Sequence, residues 1–464
     1  MSEINFISKL GSSASKIKVV GNIFQKVHFL KNEDEYLAVK EGIRILHENM
    51  PKSIKCPSKI IYKKDIKESE RYKLYYEQER LSPWIEAYWI TGQQLFNLGL
   101  TILNQQKVLF QKNLCLVDAR PSNYWLGENV GKLVDLAGIK PISKQNLLSF
   151  ETDFRQYFIL PLILEKELNI PTGLYFKGNL NSCNLNLWGT IGTYKNFNIL
   201  KEAVSSSFIN FISNKISSSS PSFIEYLNKH EKEESIPTLE KSKIQKVLNK
   251  QLNLLNKIKP KKINRTNWDS YETFHDEGYT LKKLESINNF VNTSKKEYKI
   301  VDLGSNLTTK DIKDINLRVD NDISVCRHMR QLFKEDEIVL QLNIAECLSS
   351  DNYLDKNILN LFGDAKASIM TSIIHHLIID YGLSIDTFYL NISKLYDKIL
   401  LEFPCGDDPM VKLLIRKKNE HIVWDWDKSH KPICLKYFDI KKKLDLSKTR
   451  FMIYLENKNN FKND

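Results

Sequence analysis

Apolar positions fall into three regimes along the chain. Near the start, "EYLAVKEGIRILHENM" repeats them at helical spacing, with Tyr36, Val39, Ile43 and Leu46 on one face, and predicts a helix. "NLCLVDARPSNYWL" and "GKLVDLAGI" instead run through short apolar stretches into turn residues, as two short strands joined to turns would. Next, "SSSFINFISNKISSSSPSF" and "NKHEKEESIPTLEKSK" are rich in Ser, Lys and Glu and predict a connecting region. It contains one amphipathic helix: Ile244, Val247, Leu248, Leu252, Leu255 and Ile258 recur at helical spacing, and Pro260 stops it.

From about Asn264 onward the pattern alternates between strand-like and helix-like segments, as an α/β domain demands. "KIVDLG" ends in Asp302 and Gly304, and "INLRVDND" in Asp320 and Asp322. "EIVLQLNIAE" finishes at Asn343, "ASIMTSIIHHL" at His375 and His376, and "YDKILLEFPCGDDP" at Glu402 followed by Asp407 and Asp408. "CLKYFDI" and "RFMIYLE" add two late strand-like pieces. Each of the five leading strands carries a polar group at its carboxyl end, and in an open parallel sheet those ends line one crevice where ligands bind. The expected organisation is a lobe over 1–200, a helical, Ser- and Lys-rich connector over 201–263, and an α/β domain over 264–464, with no internal repeat.

Composition narrows the class. A chain of 464 residues, 42% hydrophobic and 11% aromatic, is globular and long enough for two cores. Its longest apolar run, "YFILPLIL" from Tyr157, is broken by Pro161 and too short to cross a bilayer. The N-terminus lacks the basic segment and apolar block of a secretory signal, so a cytoplasmic protein is expected. Seven scattered cysteines without a CxxC pair suggest neither a disulfide framework nor a zinc site, and no metal is expected. The net charge of +12 raises nucleic acid as a partner, but the lysines are interleaved with acids and read as solvated faces.

Two constellations carry chemistry. In the α/β domain, Gly304 would let a ligand approach the backbone closely. Asp320, an acid about 20 residues after the glycine turn and at the end of the next strand, is placed to accept hydrogen bonds from ribose hydroxyls. In the first lobe, Asp118 and Asn123 stand in D-x4-N spacing, with Asp135 on the next strand and Gly138 close behind. In protein kinases and small-molecule phosphotransferases that pattern supplies a base and two metal ligands. No glycine-rich phosphate loop precedes it, and Lys40 of "LAVK" lies within a helical period.

The ordered set "VDLGSN", "RVDND", "IIHHL", "LLEFPCGDDP" resembles the class I S-adenosylmethionine-dependent methyltransferases. More narrowly, it is similar to a bacterial group related to nodulation methyltransferases, whose turn reads DLGCNTG, whose fourth strand ends in IHHL and whose fifth reads like IEFVPKSDP. The lead-in "NWDSYETFHDEGYTLKKLESINNFV" resembles the W..Y....Y segment of that group. Its N-terminal segment, LKDASPYNVQF…VFIDLGSFEP…YRQF, resembles "LVDARPSNYWL", "KLVDLAGIKP" and "DFRQYFILPLIL". The resemblance implies a Rossmann-like methyltransferase domain behind a kinase-like α+β lobe that is scaffolding or substrate-recognising rather than catalytic.

By position it implies cofactor binding by Asp302 (methionine part), Gly304 and Ser305 (the turn), Asp320 (ribose) and Asn343 (adenine), with His375 or His376 as a base where the acceptor must lose a proton. Glu402 and Asp407 are lesser candidates. Thr308 stands where the group has Gly, so a positive φ there would store strain. The implied acceptor is a small molecule, a glycan or a protein. Two alternatives remain open: phosphotransfer by Asp118, Asn123 and Asp135, and a degenerate, non-catalytic binding protein.

Overall fold

The computed structural model describes residues 15–20, 23–50, 58–61, 72–79, 81, 84–126, 131–168, 170–177, 241–260, 277–332, 337–349, 357–418 and 422–458. The Ser- and Lys-rich stretches up to residue 240 and the first part of the lead-in, 267–276, lie outside the described residues. The chain divides into two compact units, one running to Lys261 and one from Lys262 to Asp464, with 82–85 and 89–91 grouped with the second.

The first unit opens on an antiparallel sheet of β1 (Ser15–Val20), β2 (Ile23–Leu30), β3 (Ser58–Ile61) and β4 (Tyr72–Glu79), in the order β1-β2-β4-β3. Helix α1 (Glu33–Asn49) follows β2 because Asn32 caps it, accepting from the Glu35 amide, and three acids fill its first turn. Tyr36, Val39, Ile43 and Leu46 are its buried face, as the spacing predicts. Helix α2 (Gly92–Phe110) is buried on most sides. Two small antiparallel pairs come next: β5 (Leu114–Leu116) with β8 (Ile139–Pro141), and β6 (Tyr124–Trp125) with β7 (Lys132–Leu133). Helices α3 (Lys144–Phe154), α4 (Leu160–Leu168), α5 (Thr172–Lys177) and α6 (Lys241–Lys257) complete the unit. Ile244, Leu248, Leu255 and Ile258 of the amphipathic segment are buried, whereas Leu252 is turned outward.

The second unit is a seven-stranded mixed sheet with helices against it. Its strands are β9 (Lys299–Leu303), β10 (Leu317–Asp320), β11 (Ile338–Gln341), β12 (Ala365–Met370), β13 (Lys398–Pro404), β14 (Phe438–Asp445) and β15 (Arg450–Asn457), in the order β11-β10-β9-β12-β13-β15-β14. The first five are parallel, and β15 runs antiparallel between β13 and β14. The central strands are buried nearly end to end, as a parallel sheet covered on both faces requires. Helix α7 (Glu277–Ser294) lays Ile287, Phe290 and Val291 against Ile300, Ile369 and Leu400. Helix α8 (Ile323–Leu332) packs Val325, Cys326 and Met329 with Val339. Each such side chain contributes about 1.5–3 kcal/mol by leaving water. Helices α9 (Ile344–Ser349), α10 (Ile385–Leu395), α11 (Pro409–Lys418) and α12 (Lys431–Tyr437) fill the connections.

Two expected strands are shorter than their apolar pattern. The segment "ASIMTSIIHHL" leaves the sheet at Met370, so His375 and His376 lie in the helical turn that follows rather than at a strand end. The "CLKY" of "CLKYFDI" belongs to α12, because over four residues periodicity does not separate a helix end from a strand. Strand order reverses between β9 and β12, which fixes where a crevice opens at the strands' carboxyl ends.

Candidate functional site

The turn after β9 is built around a buried carboxylate. Asp302 is fully buried, and its Oδ2 accepts from Ser305 Oγ at 2.7 Å and Thr309 Oγ1 at 2.6 Å. Thr309 in turn accepts from Arg318 Nη1 at 2.7 Å, and Arg318 Nη2 donates to the Ile312 carbonyl. Burial pushes the Asp302 carboxyl up, against the pull of the Arg318 charge and the two hydroxyls. Among the described residues its Oδ1 has no hydrogen-bond partner, nor has the buried Oδ1 of Asn306. Two orphaned acceptors within one turn mark a place for a hydrogen-bond donor.

Gly304 has φ +70°, and its amide and that of Ser305 donate to the Val319 carbonyl, which pins the turn to β10. A Cβ at Gly304 would stand 2.7 Å from Ile373 Cδ1, so the turn and the segment after β12 are in close contact. The strain expected at Thr308 falls elsewhere. Thr308 is outside the left-handed region, and Asn306 (φ +45°) takes that conformation, which Asn tolerates better than most residues. The Ser305 hydroxyl is committed to Asp302, so what Ser305 can offer a ligand is its backbone.

Asp320 ends β10. Its oxygens accept from the Asn306 amide at 3.1 Å and the Asp322 amide at 2.8 Å. Burial lifts its carboxyl from an ordinary 3.8 to about 6; the two amides oppose the rise, and the charges of Asp322 and Asp302 add to it. Asn343 follows β11 and caps α9, its Oδ1 accepting from the Ala345 and Glu346 amides. An adenine amino group would share that oxygen with the cap.

Beyond Ile373 lies a buried charged cluster that the sequence pattern did not disclose. Glu402 of β13 is fully buried. Its Oε1 accepts from Tyr279 at 2.6 Å and Arg450 Nη1 at 3.0 Å, and its Oε2 from Ser372 at 2.9 Å and Lys283 at 3.0 Å. Arg450 also grips Asp408 through Nε at 2.6 Å and Nη2 at 3.0 Å. Burial would raise Glu402, but Lys283 and Arg450 outweigh it and hold the carboxyl well below the usual range. With four donors on four lone pairs it is neither a base nor an acid. Asp407, the other lesser candidate, is exposed and paired with Lys412, and it is Asp408 that turns inward.

His375 is fully buried, and among the described residues neither ring nitrogen has a hydrogen-bond partner. Burial, then the neighbouring His376 and Arg450, drive its pKa well below the ordinary 6.5, so the imidazole is neutral. The His376 ring lies 4.3 Å away, and burial lowers its pKa too.

In the first unit Asp118, Asn123 and Asp135 meet. Asn123 Nδ2 donates to the Asp118 carbonyl at 2.9 Å, and the Val134 and Asp135 amides both donate to the Asn123 carbonyl. Arg120 Nε lies 2.7 Å from Asp118 Oδ1 and also donates to Asp153. Asp135 Oδ1 accepts from the Ala137 amide and lies 3.7 Å from His28 Nε2; burial lowers that ring to about 4, so it is neutral. Lys26 Nζ donates to the Val134 carbonyl, Glu35 of α1 pairs with Lys140, and Lys40 lies within α1. Among the described residues no three His, Cys, Asp or Glu side chains converge as metal ligands do, and no helix is long and apolar enough to cross a membrane.

No protein-family model and no curated protein matches the chain. Among solved structures it is similar to the PH0226 protein of Pyrococcus horikoshii OT3, at 14% identity and TM-score 0.27, covering 41% of this chain and 95% of that one. It is also similar to a "putative methyltransferase" from Thermobifida fusca YX, at 14% identity and TM-score 0.29, covering 40% of this chain and 86% of that one. Scores this low leave function to be argued from the strand order and the site.

Proposed function

We propose that the second unit is a class I methyltransferase domain that binds S-adenosylmethionine at the carboxyl ends of β9 and β10 and delivers its methyl group to an acceptor lodged beside β12 and β13. The observation that carries this reading is the pair of buried oxygens left unpartnered among the described residues, Asp302 Oδ1 and Asn306 Oδ1, in a glycine turn that faces a carboxylate at the end of the next strand. Those residues fit the cofactor: the orphaned oxygens suit the ammonium of its methionine part, Gly304 leaves room where a side chain would intrude, and Asp320 suits the ribose hydroxyls. Five parallel strands with an antiparallel strand inserted beside the fifth also suit that family.

When bound, the cofactor supplies an already activated methyl group, so the chain's task is alignment and exclusion of water. His375 is the group we assign to receive a proton from the acceptor; Glu402 is saturated, and His376 is the neighbour that helps keep His375 neutral. The first unit reads best as a kinase-like scaffold without phosphotransfer. Its sheet-and-helix start and the meeting of Asp118, Asn123 and Asp135 favour the likeness, whereas Arg120 on Asp118 and Lys140 on Glu35 occupy groups that phosphotransfer would use.

Isothermal titration with S-adenosylhomocysteine tests the cofactor site. Micromolar binding is expected, weakened in Asp320→Ala by about 1–3 kcal/mol for loss of hydrogen bonds to a charged group. An absence of heat and of any thermal shift in the wild-type chain would overturn the reading.

A further inference from the structure

The half of the crevice beyond Ile373 has a chemical character that bears on the acceptor, granted the cofactor reading above. The groups gathered there are Tyr279 and Lys283 of α7, Ser372 and His375 after β12, Glu402 of β13, Asp408 before α11, and Arg450 opening β15, all of them buried except Ser372, which is partly buried. Among the described residues two cations, Lys283 and Arg450, face two carboxylates, Glu402 and Asp408, so these charges balance. Glu402 takes four donors, Asp408 takes Nε and Nη2 of Arg450 together with the Met410 amide, and Lys283 reaches Glu402, Ser372 and Tyr279.

Ser372 ties these groups together. It holds a left-handed backbone (φ +55°) that only a minority of non-glycine residues adopt, and its hydroxyl meets Lys283, Arg450 and Glu402. Three residues later comes His375, fully buried and with both ring nitrogens unpartnered among the described residues. A buried polar group left open costs about 1–3 kcal/mol, and it persists where a ligand satisfies it.

A neutral imidazole offers one donor and one acceptor. A hydroxyl suits either edge of the ring, accepting from the N–H or donating to the bare nitrogen. A carboxylate, phosphate or ammonium placed there would be buried without a counterion among the described residues, whose charges are already matched. We propose that this half of the crevice is an acceptor subsite for an uncharged, hydroxyl-bearing molecule, hydrogen-bonded at His375, and that acceptors charged at the reacting group are excluded. Methyl transfer then forms a carbon–oxygen bond from a lone pair of the hydroxyl while the carbon–sulfur bond breaks toward sulfur. The oxygen turns strongly acidic as that bond forms, so its proton passes to the bare nitrogen of His375 for the lifetime of the product complex. It leaves when the site opens to release product. The charged and titratable groups that bear on that ring are His376 beside it, Arg450, Glu402 and Lys283.

The test uses the full chain saturated with S-adenosylhomocysteine and labelled with 15N in histidine, the His375 ring signals being assigned by sequential connectivities. Three probes of one shape are titrated: benzyl alcohol, benzoate and benzylammonium. The expected result is a His375 shift that saturates with the alcohol at a concentration about ten-fold or more below that needed for either ion, with the ring nitrogens remaining those of a neutral imidazole at neutral pH. Benzoate or benzylammonium binding as well as the alcohol, no preference among the three (binding of none included), or a charged His375 at neutral pH would overturn the proposal. Failure of the homocysteine titration itself would instead strike the cofactor reading, so the two failures are told apart.

Discussion

At the scale of single residues, Asp320 ties the site to pH. Its folded carboxyl titrates at about 6, above the ordinary 3.8. Between those values the folded chain holds a proton that the unfolded chain has lost, so this group's contribution to stability declines as pH rises through the window and levels above it. Cofactor affinity runs the other way, because ribose hydroxyls donate to the ionised form. S-adenosylhomocysteine titrations should strengthen as pH climbs through about 6 and become flat in Asp320→Asn; pH-independent wild-type binding would place the ribose elsewhere. Gly304→Ala should lower stability by about 1–3 kcal/mol and weaken the same titration. Adding Ile373→Val should recover part of the loss by removing Cδ1, the atom a new Cβ meets at 2.7 Å, but not the cost of φ +70°. Full recovery by Ile373→Val would show that contact, not backbone, decides the position.

Among elements, the buried cluster at the ends of β12, β13 and β15 is where sequence reading reached its limit. Asp302, Gly304 and Asp320 could be placed because each closes a parallel strand, and apolar runs ending in acids show that on a single line of sequence. Arg450 could not. It opens β15, which runs antiparallel, and the pairing of Pro404 with Arg450 carries an amino-terminal residue to the carboxyl end of β13. Tyr279 and Lys283 are one helical turn apart on α7, a spacing that any amphipathic helix shows, and nothing local announces Glu402 as their partner more than 100 residues on. The pattern puts His375 at a strand end, since "ASIM" and "SIIHHL" are equally apolar, whereas the strand stops at Met370 and the break is made by Ser372. The cluster makes its own prediction. Glu402→Ala leaves Lys283 and Arg450 buried without their carboxylate and should cost about 3–5 kcal/mol, roughly 10 °C in melting temperature for a unit of this size. Asp407→Ala, on the exposed pair with Lys412, should change stability by no more than about 0.5 kcal/mol. Equal effects of the two substitutions, read by thermal unfolding, would show that the cluster is not what holds these strand ends.

For the whole molecule, two units each carry a set of residues with a recognisable chemical logic, and a ligand should declare which set is in use. A ligand that binds only the folded state raises stability by RT ln(1 + [L]/Kd), about 2.7 kcal/mol at a hundred-fold excess over Kd. Amide exchange then slows most where the ligand closes local openings. With S-adenosylhomocysteine, slowing should concentrate at the β9 turn around Gly304–Asn306, at Asp320–Asp322 and near Asn343, while Asp118 to Gly138 exchanges as before. These are the segments whose amides already close on Val319, Asp320 and Asn343, so further ordering there has a structural route. ATP with Mg²⁺ should leave both sets unchanged, since Arg120 neutralises Asp118 and Glu35 is taken by Lys140. The opposite pattern, slowing around Asn123 and Asp135 with ATP and none around Gly304 with S-adenosylhomocysteine, would transfer the activity to the first unit and make phosphotransfer the reading to pursue. Slowing by neither ligand would favour a binding protein that has kept two enzyme-like frames without their small molecules.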